Sequence, residues 1–302
     1  MNLHLAGFDK LENIQLVQKT GHKFGLTSYY SMQTLPENRW RQHADEINQA
    51  GTSLILDSGL FTMMFGAGKD RVWDMPYMVE YTKRYVADAR MYGFTNAVIV
   101  ECDVHKILGM KAVFELRKIF KDSGMKTIYV WHVEEGIDGL LKLAQEEEYI
   151  AISVPELRKF FKKKGTMTST AGVFDLLSKI SRHCKSVGRH LPKIHLLGNT
   201  VQTTMKTHVA FSCDSTSWMS GARYGTPVVY RNGTLKMIHL RSTAFSNLLE
   251  KMKQERPEIV EFINGISSSE KRASYYLGLF LSADSYRRYN EWLNSHYEWR
   301  GR

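Results

Sequence analysis

Three aspartates stand at the ends of apolar, strand-like runs: Asp57 closes Ser53–Asp57, Asp103 closes Ala97–Asp103 and Asp214 closes Ala210–Asp214. Other polar residues recur at the same kind of position, with His132 and Glu134 near the end of Thr127–Val133, Ser153 closing Tyr149–Ser153 and Asn199 just past Lys193–Leu197. A lone aspartate after a strand is often no more than a helix N-cap. Three that converge on one mouth form a carboxylate cluster instead. Without histidines at ligand spacing, such a cluster suits proton transfer and nucleophilic attack better than zinc binding. Two carboxylates flanking an anomeric carbon can displace a base from a sugar. One attacks C1′ and holds the sugar; the other protonates the leaving group and later deprotonates its replacement. That chemistry needs no metal, and none is expected.

The elements that must position these groups alternate. Besides the runs above, Phe24–Tyr30 and Lys193–Leu197 have strand character. Pro227–Tyr230 and Leu235–Leu240, split by Asn232-Gly233, predict a hairpin. Helical patterns lie between the strands at 36–50, 76–92, 109–123, 135–145, 172–188 and 200–208. Pro36 and Pro76 suit first helical turns, and Gly51, Gly93, Gly124 and Gly188 suit helix stops. Apolar strands alternating with helices predict an α/β fold with a parallel sheet. Seven or eight such units in about 240 residues match a (β/α)₈ TIM-like barrel, whose chemistry collects at the C-terminal strand ends. The rival, a doubly wound open sheet, lacks a GxGxxG or GxxxxGK[ST] loop after any strand. The expected division is a barrel over 1–243 and a helical C-terminal extension over 244–302 packed on it.

Composition narrows the partners. The 302 residues carry 41 Lys+Arg against 31 Asp+Glu, a net charge of +10, with 43% hydrophobic residues, which is enough for a real core. Ten of the cations fall between Arg158 and Lys193 against one acid, Asp175. Mixed-sign stretches such as 109–122, with Lys111, Glu115, Arg117 and Lys118, are the pattern of a solvated helix face. A one-sign block favours a polyanion, nucleic acid above all. Candidate phosphate contacts are Arg158, Lys159, Lys162, Lys163, Lys164, Lys179, Arg182 and Arg223. Cys102, Cys184 and Cys213 are isolated, as in a reducing cytosol. No run approaches the roughly 18 apolar residues of a membrane span, and no signal peptide is expected. His183 and His190 suit a surface helix, and Gly66–Gly68 suits a mobile lid loop.

The motifs, taken in order, resemble the tRNA-guanine transglycosylase superfamily, barrel enzymes that exchange guanine for a 7-deazaguanine base. Asp57-Ser58-Gly59-Leu60-Phe61 resembles the family's DSGGFQ segment, and Asp103 is similar to the aspartate after the third strand. His195-Leu196-Leu197-Gly198-Asn199-Thr200 resembles the LMGVG turn. Phe211–Thr216 resembles the strand end bearing the nucleophile, followed by Arg223 and Gly225. Ala151–Glu156 stands where the family has its GLAVGE pocket loop. The resemblance spans about residues 24–226. It implies Asp214 as nucleophile and Asp57 as acid/base, with Asp103, Ser58, Phe61, His132, Ser153, Gly198 and Asn199 around the base.

The departures carry implications too. No CxCxxC…H zinc site follows the nucleophile, and Trp131 and His132 replace the VQGG turn. A short, zinc-less chain is most similar to the phage-type branch that modifies DNA. DNA is therefore the expected polymer and a free 7-deazaguanine base the co-substrate, with no cofactor, in the cytoplasm (the host's, if phage-encoded). Helper proteins or a homodimer stay open. tRNA as substrate and a non-catalytic nucleic-acid-binding barrel are the alternatives; a small-substrate glycosidase would not need the basic block. The target base must be flipped out or unpaired, and Phe61, Trp131 and Tyr224 are candidates to stack on it.

Overall fold

Strict alternation builds the centre of the molecule. Along the strands, Ala6, Leu26, Ile55, Val100, Ile128, Val130 and Ala151 pack together as one apolar cluster inside a cylinder. Their neighbours Leu5, Leu54, Leu56, Ile99, Tyr129, Ile150, Ile152 and Leu196 pack outward with the helices. The computed structural model describes residues 1–60, 63, 73–94, 96–164, 168–199 and 201–301, the side chains at 163 and 164 aside. Eight parallel strands close into a barrel in sequence order: β1 Asn2–Ala6, β2 Phe24–Ser28, β3 Ser53–Asp57, β4 Val98–Val100, β5 Thr127–Trp131, β6 Tyr149–Ser153, β7 Lys193–Leu197 and β8 Ser212–Ser215. This is the expected (β/α)₈ class.

The described helices are α1 Leu11–Thr20, α2 Tyr29–Met32, α3 Glu37–Gln49, α4 Met75–Met91, α5 His105–Ser123, α6 Gly136–Glu146, α7 Val154–Lys164 and α8 Ser169–Ser186. They continue with α9 Gln202–Met205, α10 Ser217–Arg223, α11 Thr243–Glu255, α12 Pro257–Ile266 and α13 Glu270–His296. A hairpin of β9 Val228–Arg231 and β10 Thr234–Met237 interrupts the run after α10. Helix α5 is broken at Gly109 (φ 79°, ψ 173°), so a short turn carrying His105 and Lys106 precedes the helix expected from 109.

One strand escapes the sequence pattern. His4 interrupts an apolar run, yet β1 pairs with both β2 and β8 and closes the barrel. His4 points inward, is buried, and its Nδ1 lies 3.0 Å from the Gly25 carbonyl oxygen. The last helix locks this closure. Asn290 of α13 accepts from Leu3 N–H at 2.7 Å, and Asn294 accepts from the Met1 ammonium at 2.6 Å.

Arg117 corrects the solvated-face reading of 109–122. It is 9% exposed and grips Glu101 with two bonds, Nε to Oε2 at 2.8 Å and Nη2 to Oε1 at 2.7 Å. Val130 N–H also donates to Glu101 Oε1 at 2.7 Å, which ties β4, β5 and α5 together. Burial raises the Glu101 carboxyl above its usual range despite the guanidinium. Arg117→Met should therefore cost about 3–5 kcal/mol in urea denaturation, because it strands a buried carboxyl. The double variant with Glu101→Gln should recover most of that loss. A single variant as stable as the native chain would show that the pair is not a structural tie.

Candidate active site

Barrel geometry sends the C-terminal strand ends to one mouth, and the register aims the aspartates there. Asp57 pairs with Ser28 at the end of β3, and Asp214 pairs with His4 near the end of β8. Asp103 follows β4. All three are half-buried. Burial first, and the Asp214 charge second, push the Asp57 carboxyl up to about 6. Burial first, and the Asp57 charge second, push Asp103 up to about 7. Asp57 thus feels the charge of Asp214, and Asp103 that of Asp57, as groups near one pocket do.

Each is placed by its surroundings. Helix α4 supplies two tyrosines that hold the ends of β3 and β4. Tyr85 donates to the Leu56 carbonyl and accepts from Val100 N–H at 3.3 Å, while Tyr81 donates to the Ser58 carbonyl at 2.6 Å. Gly59 turns the chain after Asp57 at φ 75°, where an added Cβ would come within 2.1 Å of Ser28 Oγ. Its N–H donates to Asp57 Oδ2 at 3.3 Å.

Asp214 is oriented from two sides. Gly198 N–H donates to Oδ1 at 2.8 Å, and His195 Nε2 lies 3.1 Å from the same oxygen. Gly198 reaches this position with φ 59°. Behind His195, Nδ1 is 2.7 Å from Ser212 Oγ, which is 2.5 Å from the Tyr149 hydroxyl. One sense of donation satisfies the whole chain: Tyr149 to Ser212, Ser212 to His195 Nδ1, and His195 Nε2–H to Asp214. His4 packs edge-on to His195 at 6.0 Å, and burial drops its own pKa to about 3, so it adds no charge there. The sequence holds a signal for this relay. In β7 and β8, His195 and Ser212 occupy inward positions where an apolar residue would otherwise stand.

The other candidates divide. Ser58 is buried beside Asp57, and its Oγ has no partner among the described residues. Ser153 Oγ accepts from Glu156 N–H at 3.3 Å at the start of α7. Asn199 is fully buried with Oδ1 taken by Val201 N–H and Thr204 Oγ1. His132 is 1% exposed and stacks on His105 at 3.7 Å between ring centroids. Trp131 has the opposite parity: it packs outward and donates Nε1–H to the Gly136 carbonyl at 2.9 Å, so it does not stack in the mouth. Tyr224 is 77% exposed just past α10, with Arg223 beside it also exposed. Phe61, Gly66–Gly68 and Thr200 lie outside the described residues, as do the side chains of Lys163 and Lys164.

The basic block is not one surface. Helix α7 begins at the mouth, directly after β6, and presents Arg158, Lys159 and Lys162 to solvent. Helix α8 leads back to the start of β7, so Lys185, Arg189 and Lys193 approach the opposite face of the barrel. Lys179 is paired with Asp175 at 2.7 Å, and Arg182 is exposed farther down α8. All three cysteines are buried. Among the described residues no helix is long and apolar enough to cross a membrane.

No family model and no curated protein matches the chain. Among solved structures it is similar to a Coccidioides immitis protein assigned as a fructose-1,6-biphosphate aldolase. The identity is 8% and the TM-score 0.47, over 97% of this chain and 90% of that one.

The raised carboxyls make a thermodynamic prediction. Asp57 and Asp103 bind protons more tightly folded than unfolded, so they favour folding below about pH 4 and lose that contribution as pH rises through 6 and 7. A rise from 3.8 to about 6 corresponds to about 3 kcal/mol for Asp57. Asp57→Asn and Asp103→Asn should therefore each stabilise the protein at pH 8 by about 2–3 kcal/mol in urea denaturation and change little at pH 4. Equal effects at both pH values would show that these carboxyls are not strained by burial and by one another.

Proposed function

We propose that the protein is a base-exchange transglycosylase that replaces guanine in DNA with a 7-deazaguanine base. The observation that carries this reading is the Asp57–Asp103–Asp214 cluster at the barrel mouth, with Asp214 Oδ1 held by His195 and Gly198. The ordered motifs over residues 24–226 support the same class.

Each group has a step. Both donors to Asp214 fall on Oδ1, which leaves Oδ2 for an incoming sugar. Attack of Oδ2 on C1′ forms a C1′–O ester bond and breaks the bond from C1′ to N9 of guanine. The electron pair goes to N9, which takes a proton from Asp57; with a pKa of about 6 this carboxyl exchanges protons readily near neutrality. The departing guanine gives way to the 7-deazaguanine base, whose N9–H proton returns to Asp57. N9 then attacks C1′ and releases the Asp214 carboxylate. Asp103 meets the purine's N–H edge with charge-assisted hydrogen bonds. Arg158, Lys159 and Lys162 along α7, with Arg223 and Tyr224 past β8, are exposed and take the phosphates and a flipped base in this reading.

DNA carrying labelled guanine, incubated with 7-deazaguanine bases, should lose its label only when an acceptor base is present. Asp214→Asn should reduce exchange by about four orders of magnitude or more while DNA affinity persists. Label release into water without an acceptor would make the protein a hydrolase, and exchange on tRNA alone would reassign the polymer. Changing Arg158, Lys159 and Lys162 together to Ala should flatten the log–log salt dependence of DNA binding by about 2–3 units. An unchanged slope would remove α7 from the interface.

A further inference from the structure

A second constellation lies at the same mouth, and none of the exchange steps above assigns it a role. His105 follows β4, His132 follows β5 and Glu156 follows β6 at the start of α7, so three successive strand ends each contribute one residue. His105 Nε2 is 2.9 Å from Glu156 Oε1, and His132 Nδ1 is 3.7 Å from Glu156 Oε2. One ligand atom from each of the three residues falls within 4.8 Å of the others. Their wide separation in sequence hides them from any reading based on spacing.

The hydrogen bonding within this cluster is incomplete. His132 is 1% exposed, yet among the described residues neither ring nitrogen has a partner within hydrogen-bond distance, Nδ1 lying 3.7 Å from Glu156 Oε2, and Nδ1 of His105 also lacks one. Buried imidazole nitrogens without partners are costly and rare unless a water or an ion completes them. Two imidazoles and one carboxylate are the donor set of three-ligand transition-metal sites, which keep a further position open.

We propose that His105, His132 and Glu156 bind a divalent transition-metal ion of the zinc class. Tetrahedral ligands at zinc distances lie about 3.3 Å from one another; the two imidazoles stand 2.9 and 3.7 Å from the two different oxygens of the Glu156 carboxylate, close enough that small side-chain shifts bring all three onto one ion. Binding exchanges the His105–Glu156 hydrogen bond for two bonds to the ion. Lys106 is the competing cation. Its Nζ lies 2.7 Å from Glu156 Oε1 and 2.5 Å from Glu134 Oε1, so it balances the Glu156 charge when no ion is present. The site stands beside Asp103, two residues before His105. It rests on geometry alone and does not depend on the base-exchange reading.

The test is titration of the chelator-treated full-length protein with Co²⁺, followed by its visible ligand-field absorption, with Zn²⁺ as competitor. One equivalent should bind with tetrahedral-type bands that Zn²⁺ abolishes. Glu156→Gln and His105→Gln, both close in size to the native residues, should each weaken binding by about 100-fold or more with unchanged far-UV circular dichroism. Lys106→Met should tighten it by removing the competitor. No stoichiometric Co²⁺ absorption in the folded native protein would overturn the proposal. So would binding that both ligand variants leave intact.

Discussion

Closure of the barrel between β8 and β1 is the constraint on which the mouth depends. Asp214 and Asp57 lie far apart in sequence, and only a closed cylinder brings the end of β8 round to the end of β3. The register His4↔Asp214 fixes which residues of the last strand face inward, and a slip of one position would turn Asp214 toward the helices. Polar bonds hold β1 itself in place, from outside through Asn290 and Asn294 of α13 and from inside through His4 and the Gly25 carbonyl of β2. The barrel interior is correspondingly mixed. An apolar layer from Ala6 to Ala151 lies beside a buried polar chain of Tyr149, Ser212 and His195 that ends on a carboxylate.

This arrangement sets one cost against one capability. Crowding acidic groups into a half-buried pocket raises the pKa of Asp57 and Asp103 toward neutrality. The fold loses stability at the pH where the site would work, and it gains carboxyls that exchange protons there. Tyr81 and Tyr85 help hold that pocket by tying the strand ends through backbone carbonyls, so the aspartates are positioned without direct side-chain bonds from α4. The same logic appears in the buried Glu101–Arg117 pair, which fixes β4 immediately before Asp103.

Much of this was legible in the sequence. The runs Ser53–Asp57, Tyr149–Ser153 and Lys193–Leu197 coincide with β3, β6 and β7, because a strand buried on both faces is a short apolar run whatever surrounds it. The carboxylates at strand ends were visible for the same reason. What remained hidden depends on contacts between distant segments. His4 disguised β1, since a polar residue inside a barrel looks like a break in an apolar run. Arg117 looked solvated because its helix is amphipathic and its partner, Glu101, lies just past β4, sixteen residues earlier. Trp131 and His132 could not be told apart as pocket residues until strand parity sent one outward. The basic block read as one surface because net charge along a chain ignores the reversal between α7 and α8.

The proposed exchange runs through a covalent bond between Asp214 and a deoxyribose. Its most direct test is mass spectrometry of the protein quenched in acid during turnover with a guanine-containing oligonucleotide, before an acceptor base is added. The expected product is a peptide spanning β8 that carries the oligonucleotide through Asp214, absent in Asp214→Asn and discharged when a 7-deazaguanine base is supplied. Exchange of guanine that proceeds at full rate with no adduct on Asp214, or with the adduct on another residue, would contradict it.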